Sequence, residues 1–235
     1  MIFSPLEPRD KQSNSMPVLQ EKAAHLIEAT AKLTGSHTPI FLKNVEKVLK
    51  TTNSYYSNLI EAQSTHPIEI ERAIKNGLSS DERTANLQNL AIRYIEAQRF
   101  AVENYSDEQT LLTDETLLSL HKNFYNGDEM KAFRSLQLNE EAIEFQPGTY
   151  REHDVAVGAH IAPRFQEVQG HMNEYFGNYK RILKNHNGVD KLIAIMASHH
   201  RLVYIHPFLD GNGRISRILL DTLLRNTKIE GMGLW

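Results

Sequence analysis

The amino-acid sequence predicts an all-α fold interrupted by one short β-hairpin, and three observations carry that expectation. Apolar residues recur at three- and four-residue spacing in segment after segment, the pattern of amphipathic helices. One stretch, Pro147 to Pro163, abandons that period for β-formers bracketed by glycine and proline. No internal repeat or low-complexity linker divides the 235 residues. That length suits one large core or two modest ones, and the unbroken pattern favours one.

The elements follow in order. Residues 1–16 are expected to be a flexible N-terminus, because Pro5, Pro8 and the polar run Lys11 to Ser15 offer neither period nor apolar content. Val18 to Leu33 forms an amphipathic helix that Gly35 ends, and Ile40 to Thr51 a shorter second one. Pro67 opens a helix running to Asn76, where Gly77 stops it. Ser80, with Arg83 nearby, opens a long helix through Asn104 in which Leu87, Leu90, Ala91, Tyr94 and Ile95 repeat at helical spacing. Thr113 starts the next, carrying Thr116, Leu117 and Leu120 and closing near Asn126 and Gly127. In Thr149 to Val157, Val155 and Val157 alternate around Ala156, which predicts the hairpin. Residues 164–185 and 189–204 are two helices around the break at Asn187 and Gly188, and Ile215, Ile218, Leu219, Thr222 and Leu223 mark the last.

Composition excludes several classes of function. The chain has no cysteine, so disulfides, thiolate nucleophiles and thiolate zinc sites are ruled out, and a reducing compartment such as the cytoplasm suits it. A net charge of −3 provides no basic field for nucleic acid. No uninterrupted apolar run is long enough to span a membrane, and the first residues lack the basic start and apolar core of a secretion signal.

Chemistry is concentrated in the run from His206 to Arg214, followed by Arg217. Pro207 bars His206 from the helical region and is expected to force the chain extended there. Gly211 and Gly213 let the backbone turn and approach a ligand closely. The helix that resumes at Arg214 places this loop at a helix N-terminus, where free N–H groups and the macrodipole favour an anion such as phosphate. Arg214 and Arg217 share a face, a like-charge arrangement that is unfavourable unless a polyanion lies between them. Asp210 supplies the hard oxygen that Mg²⁺ needs beside phosphates. A plain Asp-Gly or Asn-Gly turn requires none of these charged groups. A calcium loop fails because its glycine position, the sixth from Asp210, holds Ile215. His199 and His200 point about 100° apart on a helix, which favours structural roles over a shared metal. Far upstream, Ser57 and Glu61 share one side of a helix whose apolar face carries Tyr56, Leu59 and Ile60; by residues alone this is a solvated helix face.

The run His206 to Arg217 resembles the Fic-domain signature HxFx(D/E)GNGRxxR, with every defined position present. The resemblance implies a Fic-like helical bundle that transfers AMP from ATP to a Ser, Thr or Tyr hydroxyl of a target protein. His206 is then similar to the general base, and Asp210 to the Mg²⁺ ligand. Asn212 with the amides around Gly211 and Gly213 resembles the α-phosphate anion hole, while Arg214 and Arg217 correspond to holders of the β- and γ-phosphates. Gly148, Arg151, Val155, Val157 and Gly158 match the spacing GxxRxxxVxVG of the Fic flap, which implies a hairpin beside the active site that binds the target by strand addition. Ser57 and Glu61 resemble the inhibitory motif (S/T)xxxE(G/N), which implies that Glu61 reaches Arg217 and occupies the space of the γ-phosphate. Ala62 departs from the family's Gly or Asn there, which removes the usual helix-ending residue.

On this resemblance residues 17–110 form an N-terminal helical region containing the inhibitory helix, and residues 111–235 the catalytic core. Many relatives continue past the equivalent of Trp235, so a truncated core is expected. The same constellation also suits removal of AMP from a modified hydroxyl. A catalytically silent module that docks partners through the flap is a further alternative, which an intact His206 and Asp210 disfavour. Self-association is compatible with the sequence.

Overall fold

A computed structural model describes residues 15–138 and 141–234. Nine helices are described: α1 (Ser15–Gly35), α2 (Pro39–Ile60), α3 (Pro67–Asn76), α4 (Glu82–Asn104), α5 (Glu108–Leu111), α6 (Asp114–Tyr125), α7 (Val168–Asn185), α8 (Gly188–Ile205) and α9 (Asn212–Asn226). Also described are two small antiparallel strand pairs, β1 (Ser135–Leu138) with β2 (Glu141–Glu144) and β3 (Ala156–Val157) with β4 (His160–Ile161), and three short 3-10 helices, Asp128–Phe133, Phe165–Glu167 and Met232–Leu234. The all-α expectation holds.

Several helices begin where local chemistry satisfies their free amides. Thr38, Asp81, Asp107 and Thr113 each accept a backbone N–H from the first turn of α2, α4, α5 and α6. Buried Leu90, Tyr94 and Ala97 of α4, Leu120 and Phe124 of α6, Met172 and Tyr179 of α7, Leu202 of α8 and Ile215, Ile218 and Leu219 of α9 belong to one apolar cluster. The helix following the motif is therefore a central element of the core. It packs against α8, α4, α6 and α2, which fixes the position of its N-terminus.

Four departures from the sequence reading have physical reasons. The expected flexible N-terminus falls mostly on residues 1–14, outside the described residues, while Ser15 and Met16 already belong to α1. The second helix does not stop at Thr51 but continues to Ile60. The run Thr51 to Ser54 contains poor helix formers, yet their polar groups find partners: Thr52 bonds back to the Val48 carbonyl, and Ser54 reaches across to the Ala91 carbonyl of α4 at 2.8 Å. The β1–β2 hairpin was unforeseen, since four-residue strands give too little alternation to register as period two. Finally, the hairpin expected over Thr149 to Val157 is confined to Ala156–Val157 and its partner His160–Ile161. Residues ahead of it pair with the loop after α8 instead, the Arg151 N–H donating to the Pro207 carbonyl at 2.9 Å.

Candidate active site

The loop from His206 to Gly211 joins α8 to α9. The extended backbone expected at His206 is not found: φ is 52° and ψ is 61°, a left-handed conformation. Proline disfavours the right-handed helical region in the residue before it, and His206 closes α8 as a left-handed C-cap. The His206 amide still donates to the Leu202 carbonyl. Such a conformation costs a non-glycine residue roughly 1–2 kcal/mol, and Arg151 opposes it by donating from Nε to the His206 carbonyl at 2.8 Å.

The His206 ring is half-buried, with Nδ1 3.3 Å from the Val203 carbonyl. That contact requires the proton on Nδ1 and leaves Nε2 as the acceptor, the tautomer a general base needs. Burial lowers the His206 pKa from its ordinary value, and the nearby Arg151 and His160 charges lower it further. The ring is therefore neutral at pH 7.

Beneath the loop the polar groups are paired. Asn212 uses both ends of its amide on Phe208, Oδ1 accepting from the backbone N–H and Nδ2 donating to the carbonyl, each at 2.8 Å. The Asn212 side chain thus holds the loop's shape, and the first amides of α9 stand beside it at the helix N-terminus. Gly211 has φ of 80°, and a Cβ there would lie 2.7 Å from the Tyr125 ring. Tyr125 donates from its hydroxyl to Asp210 Oδ2 at 2.7 Å. His121, fully buried, bridges the loop to the segment before the flap: Nε2 donates to the Asp210 carbonyl at 3.2 Å and Nδ1 accepts from the Gly148 N–H at 2.9 Å. Its ring stacks on Phe208 with centroids 4.0 Å apart, and burial pushes its pKa down to about 4.

The motif arginines are both engaged. Arg214, 1% exposed, donates from Nη2 to Asp210 Oδ2 at 2.8 Å and to the Tyr125 hydroxyl at 3.1 Å, and from Nη1 to Gln63 Oε1 at 2.7 Å. Both Asp210 bonds fall on Oδ2, so Oδ1 is without a protein partner among the described residues. Arg217 donates from Nε to Ser57 Oγ at 2.8 Å, and from Nη2 to the Ser57 carbonyl at 3.0 Å and to Glu61 Oε1 at 2.6 Å. The same Glu61 oxygen crowds Gly213 so closely that a Cβ there would overlap it. A carboxylate thus rests at the N-terminus of α9, where an anion is favoured.

What brings Glu61 there is the end of α2. Ala62 takes φ of 55°, the Ala62 N–H donates to Leu59 and the Gln63 N–H to Asn58. The helix closes with a left-handed residue although neither Gly nor Asn is present.

The five expected flap residues divide. Val157 and Gly158 lie on the exposed hairpin; Val155 is half-buried, packs on the core, and accepts the Ala162 N–H at 3.2 Å. Arg151 is buried, with its guanidinium on the carbonyls of His206, His153 and Pro163. It therefore lies in the interior against the loop after α8, away from the exposed hairpin. Gly148, with φ of 83°, lies against α6 and not on the hairpin. His121, Tyr125 and Gln63 were not foreseen as site residues, because their partners are 27 or more positions away. His199 reaches the Ser216 carbonyl at 3.2 Å, a structural contact. Among the described residues, no group of three or more His, Asp or Glu forms a metal-binding cluster.

Comparison with known proteins points in the same direction. Residues 111–224 match the model of the Fic/DOC family. The chain is 27% identical over 191 residues to a protein adenylyltransferase Fic of Aedes aegypti, covering 80% of this chain and 35% of that protein. It is 26% identical over 222 residues to a protein of the same name from Drosophila ananassae, covering 93% and 37%. The chain thus spans little more than a third of these curated relatives. A Fic family protein from Desulfovibrio desulfuricans shares the fold, with a TM-score of 0.64 at 20% identity over 94% of this chain and 61% of that one.

Proposed function

With residues 111–224 forming a Fic domain, we propose that the chain is a protein adenylyltransferase that moves AMP from ATP to a hydroxyl side chain of a target protein. The observation that carries this reading is His206, neutral and with Nε2 open, beside a glycine loop that also holds Asp210, Arg214 and Arg217. His206 Nε2 takes the proton of the target hydroxyl as its oxygen bonds to the α-phosphorus. The bond from the α-phosphorus to the bridging oxygen breaks, and pyrophosphate leaves. General-base help of this kind is worth roughly 10²–10⁴ in rate. The free amides of α9 receive negative charge growing on the α-phosphate, and preorganised donors there contribute without reorganisation. Arg214 and Arg217 hold the β- and γ-phosphates.

The donor set fits Mg²⁺. Among the described residues Asp210 Oδ1 is without a protein partner, and this ion is commonly held by one or two carboxylates together with phosphates and water. When bound, it neutralises charge between the phosphates. Arg214 and Tyr125 anchor Oδ2 and so orient the carboxylate.

Glu61 is the brake in this reading. Its carboxylate takes an Arg217 nitrogen and crowds Gly213, so the γ-phosphate and Glu61 compete for one place. Ser57 secures the same guanidinium by side chain and backbone. Exposed Val157 and Ile161 on the β3–β4 hairpin are the target-facing residues. No described helix is long and apolar enough to cross a membrane, and a cytoplasmic setting accords with the absence of cysteine.

The test uses ATP labelled at the α-phosphate with Mg²⁺. Glu61→Gly is expected to label itself or a lysate target more strongly than the parent, and His206→Ala in that background to abolish transfer while retaining ATP binding. Transfer that survives loss of His206 would remove it as the base; equal labelling of parent and Glu61→Gly would remove the brake.

A further inference from the structure

The family resemblance assigns inhibition to Ser57 and Glu61, yet the turn that delivers Glu61 delivers a further side chain. Ala62, left-handed between them, bends the chain so that Glu61 and Gln63 each meet one motif arginine. Arg214 has three guanidinium nitrogens. Nη2 is committed to Asp210 and Tyr125, and Nε is buried without a partner. Nη1 is held by Gln63 Oε1 at 2.7 Å. Arg214 is 1% exposed and Gln63 Oε1 lies on its Nη1, so a phosphate oxygen reaching Nη1 competes with the Gln63 carbonyl, just as one reaching Nη2 of Arg217 competes with Glu61. Hydrogen bonds to charged groups contribute more than neutral ones, so this displacement carries a real free-energy cost.

We propose that Gln63 is a specificity-determining residue of the nucleotide site, capping Arg214 and excluding a β-phosphate as Glu61 capping Arg217 excludes a γ-phosphate. The inference rests on the nucleotide reading above and goes beyond it: the two residues screen different phosphates. With both caps in place the site discriminates by phosphate number. AMP needs neither arginine, ADP must uncover Arg214, and ATP must uncover both.

Calorimetric titration with AMP, ADP and ATP in the presence of Mg²⁺ tests this on the whole chain. The variants are Gln63→Ala, Gln63→Glu, Glu61→Gly and the double variant Glu61→Gly with Gln63→Ala. The bond from the Gln63 amide to the Asn58 carbonyl belongs to the backbone and survives both side-chain changes, so the end of α2 is retained. Gln63→Ala is expected to bind ADP on the order of tenfold tighter than the parent while AMP binding stays level. Adding Gln63→Ala to Glu61→Gly is expected to tighten ATP on the order of tenfold over Glu61→Gly alone. Gln63→Glu keeps a cap on Arg214 and holds ADP at or below the parent affinity.

ADP binding that is equal in parent and Gln63→Ala overturns the assignment of Gln63 and leaves the nucleotide reading standing. A uniform change for AMP, ADP and ATP reports a disturbed loop and also overturns it. If none of the proteins binds any nucleotide, the nucleotide reading falls and this inference with it.

Discussion

At His206, backbone and side chain serve opposite ends. The left-handed backbone is a local expense, while the bond from Nδ1 to Val203 selects the tautomer that accepts a proton. Because burial, Arg151 and His160 lower its pKa, the ring stays neutral to more acidic pH than an ordinary histidine. The acidic limb of kcat/KM, measured on the Glu61→Gly variant, is therefore expected to have its midpoint below about 6.5. A midpoint at or above that value would mean that the lowered pKa does not govern proton transfer. Residue types in the motif were legible because phosphate and proton chemistry demand them. The occupation of Asn212 by Phe208 was not, since a side-chain amide suits an anion and a loop backbone equally well. Nor was the burial of Arg151, whose partners come from three separate carbonyls.

The element that decides activity in this reading is α2, and its last turn contains a flaw. Ala62 occupies a left-handed conformation that glycine adopts without penalty. Ala62→Gly is expected to favour the docked arrangement of Glu61 and Gln63 by about 1 kcal/mol, lowering basal labelling about fivefold. Ala62→Val, with a branched side chain ill suited to positive φ, is expected to raise it. Unchanged or inverted labelling in this pair would show that the turn is not what holds the brake. The sequence pattern placed the start of this element at Ile40, close to where it begins, but ended it at Thr51, because Thr51 to Ser54 hide a continuous helix whose support comes from α4. The flap was legible by its glycine and valines, though its strands are two residues each, because Arg151 draws the preceding chain onto the catalytic loop.

Across the described residues, one core joins the N-terminal helices to those that flank the motif loop. Arg225 of α9 binds both Asp221 and Glu46, and Asp221 also accepts from Gln98, so α2, α4 and α9 are tied by one polar network. Helical periodicity was sufficient to predict the single all-α core. Which helices touch required the fold, because helical spacing says which face is buried and nothing about its neighbour. His121 links three parts of this assembly and gives the fold a pH dependence. Its native pKa of about 4 lies below the ordinary value of 6.5, so between those limits the unfolded chain binds a proton that the native state refuses. Stability is then full above the ordinary value and falls on acidification, by on the order of 3 kcal/mol from this residue. Urea unfolding of the parent and of His121→Gln, compared between about pH 7 and pH 4.5, should show a steeper loss in the parent. Parallel curves would locate the acid sensitivity elsewhere.

The contact between Glu61 and Gly213 has a consequence for how this chain can be switched. A tethered competitor has no concentration to dilute. If Glu61 is the brake proposed, neither expression level nor dilution in the assay relaxes it, and extra ATP contends with a carboxylate that never diffuses away. On the proposed reading, control comes from something that grips α2 and peels its last turn from α9, at the expense of the Ser57–Arg217 and Glu61–Arg217 bonds.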